Sequence, residues 1–305
     1  MAIITPALLT ALNTAFQKHF TNGVARAQST YKEIATVIPS TTKSNTYGWL
    51  GQFPKMREWI GSRVLKDMAA HGYTITNKDY EASISVLRTD IEDDNIGNLG
   101  TLIDEMGYAA TIHPDELIYL LLSLGHNELC FDGQNFFDTD HPVYPEVDGT
   151  GTAKVVSNLF EDSANPTTPW FLLDTSRALK PLIWQERKKP VFTLMTDDKD
   201  EEVFMRNTYR YGVDSRGAAG FGFWQMAARS TYELNVDNFD MVFSTMRAQQ
   251  ADGGRPLDIR PTVLVVPTTL ETKAKKLINT EKLPNNVDNP FYKSVKIHAT
   301  PWLNV

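Results

Sequence analysis

Three side chains that could act together in acid–base or metal chemistry, Asp138, Asp140 and His141, lie close together in the sequence. Carboxylates and an imidazole are groups that bind metal ions or transfer protons in active sites. No second set of ligand residues at an established metal spacing accompanies them, and Asp side chains in loops commonly bond to turn backbone. We therefore predict a structural loop here, and keep as an alternative an enzyme that uses these three residues.

Other segments resemble metal-binding or phosphate-binding motifs but lack residues that these motifs require. The acidic run 197–202 resembles half of a calcium loop but lacks its later glycine and its bidentate glutamate, so a solvated turn is expected. The glycines of residues 217–222 are not followed by the Lys-Ser/Thr pair of a phosphate loop. Cys130 has apolar neighbours, which is typical of a buried thiol. The sequence therefore predicts no catalytic residue, no metal ligand and no cofactor.

Composition excludes several classes of protein. The chain has 305 residues with 42% hydrophobic and 22% charged residues, a globular balance rather than that of a disordered chain. Its net charge of −7 argues against a protein dedicated to binding nucleic acid, because neutralising phosphates requires a cationic surface. No apolar run approaches the ~18 residues of a membrane span, so we expect no membrane association. One cysteine excludes an internal disulfide and fits a reducing compartment.

An amphipathic helix is predicted at the start of the chain. Thr5 and Pro6 have the types of an N-cap and a first helical residue, and Gly23 is expected to end the helix. Leu8, Leu12 and Phe16 recur every four residues and form one apolar face. A polar linker follows the helix. We therefore predict that these three side chains contact a neighbouring molecule rather than their own subunit.

An aromatic segment punctuated by glycines follows between residues 45 and 72. Glycine at this density interrupts helices, and the apolar side chains between the glycines have no helical stripe of their own. They must pack on the chain's own core or on a neighbour, and composition leaves both readings open. The side chains predicted here to contact another subunit are Tyr47, Trp49, Phe53, Trp59 and Ile60.

Later periodicities predict an α+β protein without repeated βαβ units. A helical stripe that includes Leu99, Ile103 and Met106 is expected to stop and restart at Pro114. Strands are predicted within residues 171–195 and 209–226, and a buried strand at residues 262–266. Asn235 is expected to cap one helix. Thr268 and Glu271 have the spacing of a capping box for another.

Long segments of the chain resemble one known family. They include SNTYGWLGQFPKMREWIG, DGQNFFDTDHPVYPEVDGTG, SRALKPLIWQERKKP and SRGAAGFGFWQMA, together with DDNIG and HPDELI. These segments are similar to the major head subunit of Mu-like phages and prophages, the gpT family. The resemblance implies the Hong Kong 97-type capsid fold, with subunits that form pentamers and hexamers of an icosahedral shell around double-stranded DNA.

The resemblance also implies roles for four regions of the chain. Residues 1–43 correspond to an N-terminal arm and residues 44–92 to an extended loop that lies over a neighbouring subunit. Residues 93–232 correspond to a peripheral domain with a spine helix and closing strands, and residues 233–305 to an axial domain. This order of axial and closing segments differs from that of many relatives of the fold.

Partners follow from the same resemblance. The chain would assemble with itself in the bacterial host cytoplasm and reside in the virion head, with a portal protein at one vertex. Because the chain begins almost at once with the arm, we expect a separate scaffold protein. The presence of a minor capsid protein that decorates the shell is left as an open alternative. We predict no covalent cross-links, and keep an encapsulin-like compartment shell as an alternative.

Overall fold

The computed structural model describes residues 5–50, 72–93, 98–147, 149–283 and 286–304. Two long helices, α1 and α4, cross each other on one side of the molecule, and shorter helices connect the strands. The α-helices are α1 Pro6–Arg26, α2 Tyr31–Ile34, α3 Arg88–Glu92, α4 Leu99–Leu124, α5 Glu201–Arg206, α6 Val236–Arg247 and α7 Glu271–Asn279. Single 3₁₀ turns occupy Trp224–Met226, Thr268–Leu270 and Pro301–Leu303.

The strands form a four-stranded sheet, a five-stranded sheet and short two-stranded ladders. Their bounds are β1 Ala35–Pro39, β2 Ser44–Tyr47, β3 Tyr73–Thr76, β4 Lys78–Leu87, β5 His141–Val143, β6 Lys154–Val156, β7 Leu159–Phe160, β8 Trp170–Leu173, β9 Leu182–Met195, β10 Thr208–Phe221, β11 Ala227–Ser230, β12 Gln250–Ala251, β13 Arg255–Pro256, β14 Val263–Pro267 and β15 Lys296–Thr300. The ladders pair β2 with β3, β5 with β6, and β12 with β13.

The four-stranded sheet has the order β1-β9-β10-β4. Its two central strands are long, and the first half of β10 alternates buried and partly exposed residues. The inward side chains Tyr209, Tyr211 and Val213 lie on the face that α1 and α4 cover. Since strand side chains alternate between faces, the intervening residues lie on the other face.

The five-stranded sheet has the order β15-β14-β8-β11-β7. Every residue of β8 and of β14 is buried, so these strands are continuous apolar runs rather than alternating ones. This sheet joins distant parts of the sequence, because β14 pairs with both β8 and β15. The predicted domain boundary between residues 232 and 233 divides strands of this one sheet, and the structure corrects it.

Two separate clusters of buried side chains hold the subunit together. The large core surrounds the five-stranded sheet and extends to the first part of β9 and the second half of α4. The small core lies between α1, α4 and the four-stranded sheet. It consists of Phe16, Phe20, Val86, Ile91, Ile103, Met106, Val203, Tyr209, Tyr211 and Val213. Helix α4 contributes to both cores.

The predicted helix break at Pro114 is wrong, because α4 continues through this residue. The nitrogen of Pro114 cannot donate to the carbonyl of Ala110, which disfavours a helix interior. Burial on both sides of it outweighs that cost: Met106 and Gly107 are buried before the proline, and Ile118 after it. Local propensity is here overridden by tertiary packing.

The predicted helix end at Gly23 is also wrong, since α1 runs to Arg26. Gly23 instead lets the two long helices touch. A Cβ at Gly23 would lie 1.9 Å from the carbonyl oxygen of Asp104, and one at Gly107 would lie 2.3 Å from that of Phe20. Both glycines are therefore required by the crossing of α1 and α4 rather than by a helix end.

Helix starts are predicted with mixed success. The side chains of Thr5 and Asn235 accept hydrogen bonds from Leu8 N and Asn238 N, so both predicted N-caps are confirmed. The predicted capping box of Thr268 with Glu271 is wrong. The Thr268 hydroxyl accepts a bond from Asn304 Nδ2 at 2.7 Å, and the segment opens with a 3₁₀ turn.

Candidate assembly surfaces

The three residues first considered for chemistry do not form a common site. The Asp138 carboxylate accepts hydrogen bonds from the backbone nitrogens of Asn135 (3.2 Å) and Thr139 (2.7 Å), as expected for a loop aspartate. Asp140 is exposed, and a hydrogen bond shared with Asp138 raises its pKa. The ring of His141 is fully buried and bonds elsewhere.

His141 belongs instead to a buried cluster with Asp132 and Cys130. His141 Nδ1 lies 2.8 Å from Asp132 Oδ2, and Cys130 Sγ donates to Asp132 Oδ1 at 3.0 Å. The imidazole also stacks on the ring of Trp224, with centroids 3.9 Å apart. No sequence signal points to Asp132, because no spacing rule links it to His141. The cluster fastens the 130–141 loop to the 3₁₀ turn that holds Trp224.

Burial and hydrogen bonding set the protonation of this cluster. Burial, together with the charge of Asp132, raises the pKa of the Cys130 thiol well above its usual range, so the thiol keeps its proton. Burial opposes ionisation of Asp132, but bonds from His141 and Cys130 outweigh it and lower its pKa. The carboxylate is therefore the acceptor for both neighbours.

Tyr47 anchors the β2–β3 ladder to its own subunit. Its side chain is buried, and its hydroxyl donates to Gln185 Oε1 at 2.7 Å. Gln185 Nε2 in turn donates to Ile75 O and to Asn77 Oδ1. A Cβ at Gly220 of β10 would lie 2.1 Å from Ile75 Cδ1, so the ladder sits directly on the sheet. The prediction that Tyr47 contacts another subunit is therefore corrected.

Trp49 lies at the end of this ladder and is more accessible. It is 37% exposed, and its ring makes edge contacts with Tyr47 and Phe223 at centroid distances of 6.1 and 6.3 Å. Its contact with a neighbouring subunit stays a prediction. The other three side chains predicted in this segment, Phe53, Trp59 and Ile60, lie outside the described residues.

The apolar face of α1 packs mainly within its own subunit. Phe16 is only 3% exposed, and its ring meets that of Tyr211 edge-on at 4.9 Å. Leu12 is partly buried against the same small core. The prediction that Phe16 contacts a neighbour is corrected by this packing, because helix and sheet already enclose the ring. Leu8, which is 39% exposed, stays a predicted contact between subunits.

Sequence patterns miss one apolar feature of the surface. Phe204 and Met205 follow the acidic run 197–202, and both side chains are strongly exposed. Adjacent apolar residues on a short helix give no periodic signal that distinguishes a buried from an exposed position.

Comparison with known proteins places the chain among phage head proteins. A family described as "Mu-like prophage major head subunit gpT" matches residues 9–303. The chain belongs to this Mu-like gpT family. The resemblance stated from the sequence segments is thereby confirmed, and the protein is a structural head subunit rather than an enzyme.

Individual relatives agree with this family. The chain is 48% identical to the major capsid protein of Escherichia phage Mu over 279 residues, which cover 92% of each chain. A subunit in the procapsid of bacteriophage JBD30 has a TM-score of 0.86 and 64% identity, covering 98% of this chain and 100% of that one. One in the JBD30 capsid decorated with minor capsid protein trimers has a TM-score of 0.76 and 46% identity, covering 99% and 100%.

The fold of the Mu-like gpT subunit is the Hong Kong 97-type capsid fold predicted from the sequence, with mixed helices and sheets. The protein is a component of the phage head, which is assembled from many copies of the subunit. Among the helices that the structure describes, none has both the length and the apolar character needed to cross a bilayer.

Proposed function

We propose that the Mu-like gpT subunit forms the pentamers and hexamers of an icosahedral head that encloses double-stranded DNA. The observation that carries this proposal is the likeness to the JBD30 procapsid subunit, which extends over both sheets and nearly the whole chain. A subunit with complete cores of its own and with apolar side chains left exposed at its extremities suits repeated association.

The β2–β3 ladder is the base of the contact between neighbouring subunits in this proposal. Tyr47 and Gln185 fix the base to the four-stranded sheet, so residues carried beyond it start from a defined position. Trp49, Phe53, Trp59 and Ile60 then contact the next subunit in the capsomer, and Leu8 provides a second contact from α1. The extended region 44–92 therefore begins and ends on its own subunit.

Further partners are proposed on chemical and family grounds. A separate scaffold protein guides assembly in the bacterial host cytoplasm, and a portal protein occupies one vertex. A minor capsid protein decorates the finished shell, as trimers do in the JBD30 capsid. Packaged DNA is contacted without sequence preference. With a net charge of −7, the subunit attracts phosphate weakly, and salt reduces that attraction further.

The test is the mass and content of the particles formed when the full chain is co-expressed with its scaffold protein. The proposal predicts closed shells of megadalton mass on size-exclusion chromatography and in electron micrographs. After infection or induction, the shells should contain nuclease-protected duplex DNA. A small, discrete oligomer would contradict the proposal, and shells that hold only protein would contradict its DNA-packaging part.

A further inference from the structure

Among the residues that the structure describes, one group brings a thiol, a carboxylate and an imidazole together at a single place. Cys130, Asp132 and His141 each offer one possible ligand atom, and these atoms all lie within 4.8 Å of one another. The thiol and the imidazole are buried, and the side chain of Asp132 is only 11% exposed. Sulfur, nitrogen and oxygen atoms from these three residue types are the ligands that zinc takes in proteins.

The three ligand atoms lie close to the spacing of a metal site. In a tetrahedral site with zinc–ligand bonds of about 2.0–2.3 Å, neighbouring ligand atoms are roughly 3.3–3.6 Å apart. His141 Nδ1 lies 2.8 Å from Asp132 Oδ2, and Cys130 Sγ lies 3.0 Å from Asp132 Oδ1. Opening each of these contacts by about half an ångström would therefore give a cation its usual bond lengths. Small side-chain rotations in the loop are sufficient for this change.

Neighbouring groups orient two of the three ligands. Gln134 N donates to Asp132 Oδ1 at 3.1 Å, which leaves Oδ2 directed at the imidazole. The His141 ring stacks on Trp224, and this contact fixes the plane of the ring and the direction of Nδ1. Such outer contacts are a regular part of metal sites. His141 Nε2 is buried without a hydrogen-bond partner among the described residues, so the ring proton can move to Nε2 without breaking a bond there.

The charges and the ligand types indicate the class of cation. When a metal ion binds, the Cys130 thiol releases its proton to solvent and becomes a thiolate, while the imidazole binds in its neutral form. The thiolate and the Asp132 carboxylate then balance a 2+ ion, so the buried site carries no net charge. Calcium and magnesium prefer oxygen ligands, whereas sulfur and nitrogen ligands favour zinc. A water molecule or the Asn135 carbonyl oxygen, which lies 4.0 Å from Sγ, would supply the fourth ligand.

We propose that Cys130, Asp132 and His141 bind one zinc-class divalent cation, which fastens the loop that carries them to the large core. The proposal goes beyond the function in the head and does not depend on it. It departs from the sequence-based expectation of no metal ligand, which considered His141 only together with Asp138 and Asp140. The cation enters past Asp132, which is the most exposed of the three ligands.

Cobalt(II), a coloured substitute for zinc, tests the site in the native chain. Unassembled subunits that have been treated with a chelator and then titrated with Co²⁺ should develop a thiolate-to-cobalt charge-transfer band that saturates at one ion per subunit. Cys130 is the only cysteine of the chain, so the band identifies the ligand. Zinc should displace the cobalt and abolish the band, whereas a large excess of calcium or magnesium should not. Absence of the band, or displacement by calcium, would overturn the proposal.

Three variants separate metal binding from hydrogen bonding. Cys130→Ser and His141→Asn each keep a hydrogen-bond donor beside Asp132 but supply a poor ligand for zinc. Asp140→Asn is the matched control, because Asp140 is an exposed carboxylate of the same loop. Zinc affinity, measured by competition with a chelating dye, should fall at least about tenfold in the first two variants and stay at the native value in the control. Native affinity in Cys130→Ser would mean adventitious zinc only and would overturn the proposal.

Thermal unfolding supplies a measurement that does not depend on spectroscopy. A cation that binds the folded subunit more tightly than the unfolded chain raises the melting temperature. We expect saturating zinc to raise the melting temperature of the native subunit by about 2 °C or more, and to leave that of Cys130→Ser unchanged. If circular dichroism shows that Cys130→Ser does not fold, the cobalt band of the native chain decides the question. An equal rise for both proteins, or no rise for the native subunit, would contradict the proposed site.

Discussion

The two sheets of the subunit differ in how completely they are covered. In the five-stranded sheet, all residues of β8 and β14 are buried, so its central strands have no surface left for a partner. In the four-stranded sheet, α1 and α4 cover one face of the half that contains the end of β9 and the start of β10. The outer end of that half carries exposed apolar side chains. We infer from this difference that the five-stranded sheet stabilises the subunit, while the four-stranded sheet and its ladder provide contacts for assembly.

The largest expected effect comes from removing residues 51–71. The deletion leaves four residues, 48–50 and 72, between Tyr47 and Tyr73, which is a suitable length for a hairpin loop. The large core and the anchor at Gln185 remain, so unassembled subunits should melt as the native chain does. Closed particles should be absent from electron micrographs.

A wider deletion would not isolate this effect. Removal of residues 46–80 would also take away Tyr47, Ile75 and the start of β4, which belong to the subunit's own packing. Closed shells formed by the 51–71 deletion would show that the contacts for assembly lie elsewhere.

A second prediction compares equivalent truncations in the two cores. Phe171→Ala on β8 and Phe16→Ala on α1 each remove a buried aromatic ring, for which the usual loss of stability is about 3–5 kcal/mol. Phe171 lies in a sheet that cannot close around a cavity, so we expect its variant near the upper end of this range. Phe16 lies on a helix that can shift, so we expect its variant near the lower end.

The measurement is denaturant unfolding of unassembled subunits, with Leu8→Ser as the control, because Leu8 lies on the same face near the start of α1 but is 39% exposed. The control should retain the stability of the native chain and reduce only particle yield. Native stability for Phe16→Ala would contradict the packing of α1 in the small core.

The third prediction concerns the crossing of the two long helices. Gly107→Ala places a methyl group where the carbonyl oxygen of Phe20 lies, and such overpacking usually costs about 1–3 kcal/mol. Gly100→Ala is the matched control in the same helix, because its methyl group meets only the side chain of His19, which can move. Thermal unfolding should separate the two variants, and equal melting temperatures would refute the close crossing.

The smallest expected effect is a pH dependence at the junction of α2, α4 and β15. Burial lowers the pKa of His298 below its ordinary value of 6.5, although Glu33 opposes this shift; Lys296 and Asp115 are the other charges nearby. His298 Nε2 also shares a 2.6 Å hydrogen bond with the Tyr119 hydroxyl.

As the pH falls, His298 binds a proton in the unfolded chain before it does so in the folded chain, so protonation favours unfolding. The contribution of His298 to the free energy of unfolding is therefore fully present above about pH 6.5 and is lost below it. His298→Gln should show a smaller fall in melting temperature between pH 8 and pH 5, values chosen on either side of the ordinary histidine pKa of about 6.5. An identical fall for both proteins would exclude a contribution from His298.

Local sequence signals predict where helices and strands form better than they predict which of these elements pack together. The caps at Thr5 and Asn235 are readable because a side chain and a nearby backbone nitrogen suffice to form them. Gly23 and Pro114 mislead because their roles depend on the crossing of α1 with α4 and on burial along α4. The domain boundary fails for the same reason, since β14 pairs with β8 across many intervening residues.

The sequence identifies apolar residues, but it does not show whether each of them packs within its own subunit or contacts a neighbouring one. The stripe of Leu8, Leu12 and Phe16 correctly indicates an amphipathic helix, yet periodicity does not say whether the stripe meets its own sheet or a neighbour. Tyr47 is likewise predicted to contact another subunit, because the sequence pattern does not show that its hydrogen-bond partner Gln185, which is distant in the sequence, lies beside it in the fold. Family resemblance supplies the function that these local patterns do not.

The most direct test of the division between the two sheets is hydrogen–deuterium exchange, compared between unassembled subunits and closed shells. Exchange reports the local opening of each segment, so a new contact appears as added protection. We predict that assembly adds protection at residues 44–50 and in α5, and leaves β8 and β14 unchanged because they are already closed. Added protection mainly in β8 and β14, with α5 and the ladder unaffected, would contradict the account.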